Sequence, residues 1–228
     1  MDSVFTRTEE NDVMSKTILN VKPISQLFPL PLVMGCEGVS AAMLLQYNHH
    51  TTKATDIMKN WPTHKNNPYK GYVGHQLFIK FGHHQTIFPE AFVPHLQQFD
   101  ARVSNGTGHA LSELEQIIDQ GQPVIIYHTS LGQKPLHKIY HFDQKPTPTV
   151  ANIHVTLLIG YDDTHYYYID PLWSHLGWKI VFPAILPNKF QIIKISKQKM
   201  ATSYNAPGQK CIYINPNSEQ PNNLSSNR

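Results

Sequence analysis

Apolar residues recur with two different periods along the chain, and the change of period divides it into a helical first half and a strand-rich second half. In GCEGVSAAMLLQY (35–47), Val39, Ala42, Met43 and Leu44 or Leu45 fall at core-facing helical spacings, which predicts a helix from about Cys36 to Asn48. A second helix is predicted over Lys53–Asn60 with Thr52 as its N-cap, and a third over Ala91–Gln98. A fourth runs over Leu111–Gly121, with Ser112 and Glu115 at capping-box spacing and Gly121 closing it. Beyond Gly121 the pattern shifts to short β-rich runs. PVIIYHT (123–129), NIHVTLLIGY (152–161) and HYYYID (165–170) predict strands, and further apolar runs occur at 179–182, 190–195 and 210–214. Helices first and strands second indicate an α+β fold in one domain.

Two stretches fit neither period. Residues 61–90 are rich in Gly, Pro, Asn, His and aromatic residues and read as a long loop packed by its own rings, forming a substrate-facing wall. Residues 130–150 are polar and proline-containing and read as a flap. At the ends, residues 1–20 read as a flexible lead-in, 21–214 as the single domain and 215–228 as a disordered tail.

Composition narrows the partners. The formal charge is only +3, and just three of the 19 basic residues are arginines, so no basic stripe for nucleic acid is present. No apolar run approaches the roughly 18 residues of a membrane span. The polar, acidic N-terminus lacks the apolar core of a signal peptide. A cytoplasmic location is therefore expected, or a secreted or cell-surface one if an export segment lies outside this sequence. Two cysteines, Cys36 and Cys211, do not make a disulfide framework, although parity allows one bridge. The 14 histidines, with the pairs His49–His50 and His83–His84 and the HKIYH run (137–141), raise the question of a metal. HKIYH sits in the flap with no glutamate general base beside it, so no metal and no cofactor is expected.

Cys36 stands at or next to the N-terminus of the first helix, where unpaired N–H groups and the helix dipole favour thiolate. It is the candidate nucleophile, and Cys211, within KCIYI, reads as a core strand residue. Glu37 is explained by the favourable charge–dipole interaction alone. A thiol nucleophile needs a base. Among the histidines His154 has the best context, because it lies in an otherwise apolar strand pattern. The next strand ends at Asp170, before Pro171. A three-residue loop, 162–164, would pair Tyr161 with His165 and set Asp170 opposite Thr156, one diagonal step from His154 on the same face. A two-residue loop would place the two on opposite faces unless a bulge restored the phase. The plain alternatives are a packed core cysteine, a hydrogen-bonded core histidine and a turn aspartate.

The stretches GCEGVSAAMLLQY, GYVGHQLFIKFG, LEQIIDQGQPVIIY and HVTLLIGYDDTHYYYIDP, in this order over about residues 20–185, resemble a bacterial branch of the papain-like cysteine peptidases, related to the bacteriocin-leader-processing (double-glycine) peptidases. The resemblance implies a papain-like fold acting on a peptide or protein substrate. Cys36 then matches the nucleophile, His154 the base and Asp170 its orienter. Gln26 matches the oxyanion-hole glutamine, although it stands ten residues before the cysteine, farther than papain-like enzymes commonly hold it. The backbone N–H of Cys36 is a second oxyanion donor. Two other readings are open: a papain-like binding module without chemistry, and an acyltransferase using the same nucleophile.

Overall fold

The computed structural model describes residues 16–26, 32, 34–75, 77–172 and 192–218. Its centre is a helix so deeply enclosed that no polar face survives. In α1 (Cys36–Tyr47) every residue from Glu37 to Leu45 is buried. Each fully buried leucine in it, such as Leu44 or Leu45, contributes about 1.5–3 kcal/mol of transfer free energy, so packing holds this helix more than propensity does. The first intrahelical bond is donated by Val39 N–H to the Gly35 carbonyl at 3.0 Å. Gly35 is required by close approach, since a Cβ there would lie 2.7 Å from Leu32 Cβ.

Around α1 stand α2 (Ala54–Lys59), α3 (Pro89–Leu96) and α4 (Leu111–Asp119), then the strands β3 (Val124–Thr129), β6 (Ile153–Tyr161) and β7 (His165–Ile169). These join β2 (Val103–Asn105), β8 (Ile192–Ser196) and β9 (Cys211–Ile214) in an antiparallel sheet of order β2-β9-β3-β6-β7-β8, and β1 (Thr17–Ile18) pairs with β6. The β-branched and aromatic residues of β3 and β6 are buried on both faces, as central strands covered by helices require. Val155, Leu157 and Ile159 face α1, whereas Ile126, Leu158 and Tyr168 pack with α4 and with α5 (Lys197–Asn205).

Several boundaries differ from expectation. The folded region starts before Val21, because Thr17 and Ile18 pair with Tyr161 and Gly160. Lys53, not Thr52, caps α2, and α3 starts at Pro89, where proline suits the first turn. In α4 the capping carboxylate is Glu113, which accepts from Ala110 N–H at 2.7 Å. Glu115 is drawn off to Lys197 and the Tyr166 hydroxyl. The 130–150 flap is a 3₁₀ turn (Ser130–Gly132) leading into a two-stranded hairpin, β4 (His137–Phe142) and β5 (Lys145–Val150). Helix α5 has no apolar period to announce it. Its sequence is mostly polar, it buries only Met200, Ser203 and Tyr204, and the Ser196 side chain caps it. The run at 179–182, residues 1–15 and 219–228 lie outside the described residues.

Candidate active site

The hairpin β6–β7 decides where the histidine and the aspartate meet. Near its turn Tyr161 pairs with Tyr166, so the loop is one residue longer than the sequence predicts. Carried along unchanged, that register would set Asp170 across from Leu157, on the face opposite His154. A bulge between Leu158 and Gly160 removes one residue from the count, and Leu157 then pairs with Ile169. Asp170 thereby comes to lie across from Thr156. His154 Nε2 and Asp170 Oδ1 are 2.6 Å apart, with His154 7% exposed and Asp170 fully buried. The Leu172 N–H donates to the same Asp170 oxygen at 2.9 Å. The bulge stands where β1 crosses, and a side chain at Gly160 would run into the Thr17 carbonyl oxygen.

Gln26 reaches the site through the backbone. Its N–H donates to the Pro171 carbonyl at 3.0 Å, directly after Asp170, and its own carbonyl accepts from Leu32 N–H at 2.7 Å. Leu32 in turn accepts from Gly35 N–H at 2.9 Å. One continuous run of hydrogen bonds therefore links the end of β7, Gln26 and the N-terminus of α1. From the other side, Ser40 Oγ donates to the Val155 carbonyl at 3.4 Å, and the Val155 backbone hydrogen-bonds the Cys36 sulfur.

Cys36, Gln26 and His154 border one cleft of about 410 Å³. One wall is Ile79–Thr86 from the long irregular stretch; the other includes Lys138 and Tyr140 of β4. The two walls are tied to each other. His84 stacks on Tyr140 with ring centroids 4.9 Å apart, and Asn67 Nδ2 donates to Asp143 at 2.7 Å. At the rim Phe81 is 91% exposed, with Phe78, Ile79 and Ile139 also exposed.

The thiol is not in the state that the helix dipole alone predicts. Burial and the Glu37 carboxylate push it well above the ordinary cysteine range, against the opposing Val155 hydrogen bond. Cys36 Sγ donates to Glu37 Oε2 at 3.2 Å, and no hydrogen bond joins it to His154 in this arrangement. Glu37 is 2% exposed and accepts from Thr86 Oγ1 at 2.6 Å, while burial raises its own carboxyl. The sequence accounts for Glu37 by the helix dipole alone; the structure shows a buried carboxylate touching the sulfur. Its only early signal was its place beside Cys36. His128 had none. It pairs with His154 across β3–β6, contacts Thr156 Oγ1 and Ser203 Oγ, and is held neutral by burial and by His154, with a pKa lowered to about 3. Cys211 is a buried β9 residue donating to the Gly106 carbonyl at 3.0 Å, and both cysteines are free. Among the described residues no group of three or more His, Cys, Asp or Glu side chains could hold a metal. None of the described helices is long and apolar enough to cross a membrane.

A helix that opens on a cysteine, packed on an antiparallel sheet, is the papain-like α+β architecture. The chain belongs to the Peptidase_C39 like family, whose profile matches residues 18–212. Its fold is shared by a Bacillus anthracis protein whose crystal structure is described as that of a candidate C39-like peptidase. That protein superposes with a TM-score of 0.73 at 24% identity, over 90% of this chain and 100% of the other. No match is found among curated proteins. The family suggests a peptidase acting on protein substrates.

Proposed function

We propose that this protein is a cysteine peptidase working through Cys36, His154, Asp170 and Gln26. The observation that carries the reading is the buried 2.6 Å His154–Asp170 contact at a cleft that Cys36 also lines. With Nε2 engaged by Asp170, Nδ1 of His154 is the nitrogen that takes the thiol proton. The sulfur then attacks the scissile carbonyl, and the oxyanion is met by the Cys36 N–H and the Gln26 amide. His154 gives its proton to the departing amine, leaving a thioester on Cys36. Water, activated by the same imidazole, releases the acid and restores the thiol. The exposed apolar rim suits an extended polypeptide.

One observation favours a second reading, a papain-like binding module. The free thiol is raised and bonded to Glu37 instead of His154. Hydrolysis of a peptide library by the wild type and Cys36→Ala decides between them. The peptidase reading expects cleavage that disappears in the alanine variant while the fold, followed by circular dichroism, persists. Equal rates, or no cleavage by either, would end it.

A further inference from the structure

The nucleophile and Glu37 are adjacent in sequence on the first turn of α1, and the thiol is one of the carboxylate's hydrogen-bond donors. The Glu37 carboxylate accepts from Thr86 Oγ1 at 2.6 Å and from the backbone of Glu37 and Ile87, and Cys36 Sγ adds a fourth donor at 3.2 Å. All four donors are neutral. Among the described residues no lysine, arginine or histidine pairs with Glu37, although it is 2% exposed. A buried carboxylate ordinarily has a cation beside it, and here its charge is left to act on the sulfur. Asp170 after β7, Tyr127 on β3 and Tyr72 from the irregular stretch act on the pair, and the cleft it borders also carries His154 on β6, Lys80, His83 and His84 on one wall and Lys138 on the other. Burial holds both phenols protonated, and the charges that raise the thiol are those of Glu37 and, more weakly, Asp170.

We propose that Glu37 is a catch on the nucleophile: its carboxylate holds Cys36 as a hydrogen-bonded thiol, and the thiolate forms only when that hydrogen bond is released. Release has two routes. A bound polypeptide that draws the thiol toward His154 breaks the S–H bond as the N–H bond forms on Nδ1, and Glu37 keeps its three remaining donors. Alternatively, protonation of Glu37 removes the opposing charge, and the acid then donates to the sulfur. Thr86 completes the device by tying the same carboxylate to the cleft wall, so movement of that wall reaches the thiol. The proposal rests on Cys36 being the nucleophile, but its test needs no substrate.

The test is the rate of Cys36 alkylation by iodoacetamide against pH, followed on the Cys36 peptide by mass spectrometry in the full chain. Glu37→Gln keeps the volume and can still accept from Thr86. Its alkylation midpoint should fall by about a unit or more, making labelling near pH 7 roughly tenfold faster than in the wild type. Glu37→Ala should shift the midpoint the same way. A Glu37→Gln midpoint equal to the wild type's, whatever Glu37→Ala does, would show that Glu37 only braces the wall. If Glu37→Gln fails to fold, the wild type still decides, because its profile should carry a second, separate inflection from Glu37 and a single thiol titration overturns the proposal. Peptide hydrolysis, assayed separately, reports on the proposed function and leaves this result standing.

Discussion

His154 and Asp170 meet at 2.6 Å across a hairpin whose register changes by one residue between its turn and its open end. The change comes from a single bulge beside Gly160, some distance from either side chain. Long-range placement of the pair therefore depends on a local backbone irregularity braced by β1.

Gly160→Val tests the brace itself: it should lower the free energy of unfolding by about 1–3 kcal/mol, because the Thr17 carbonyl occupies the space. Urea denaturation measures this, and an unchanged midpoint would mean that β1 yields freely.

Asp170→Asn keeps the side-chain volume but removes the charge that fixes the imidazole. A kcat lower by about 10²–10⁴-fold is expected, with KM little changed. Steady-state kinetics on a cleaved library peptide checks it; a loss confined to KM would place Asp170 in substrate binding.

Acid stability should report two buried imidazoles. Burial lowers His84 to about 4, and burial with His154 lowers His128 to about 3, whereas the unfolded chain titrates near 6.5. Between those values the unfolded state binds more protons, so stability falls as pH drops below 6.5 and the loss is complete below the folded values. His84→Phe can retain the stack on Tyr140 and Phe142 while removing one titration. Its unfolding free energy should decline less from pH 6.5 to 4, by on the order of 2 kcal/mol. Parallel curves for variant and wild type would contradict the burial of His84.

The exposed apolar side chains at the rim should contribute to binding and not to folding. Phe81→Ser combined with Ile139→Ser is expected to raise KM several-fold for peptides with apolar side chains, with kcat and the unfolding midpoint unchanged. A lowered midpoint would assign these side chains to packing.

The sequence by itself determined the order and type of the main elements, because hydrophobic periodicity is local: α1, α4, β3, β6 and β9 lie close to where their residues predict. Ordered motifs also singled out Cys36, Gln26, His154 and Asp170, four residues that the fold brings to one end of α1 or to the hairpin beside it. Elements held by few apolar residues were not legible. Helix α5 buries three side chains, β1 is two residues long, and the hairpin β4–β5 is polar along most of its length. Tertiary structure alone decided the bulge that sets the phase of Asp170, since a one-residue shift leaves no trace in an apolar pattern read strand by strand. It also decided the state of the thiol. Helix position favours thiolate, but burial and the charge of Glu37 act through space in a low-dielectric interior, and there they outweigh the dipole.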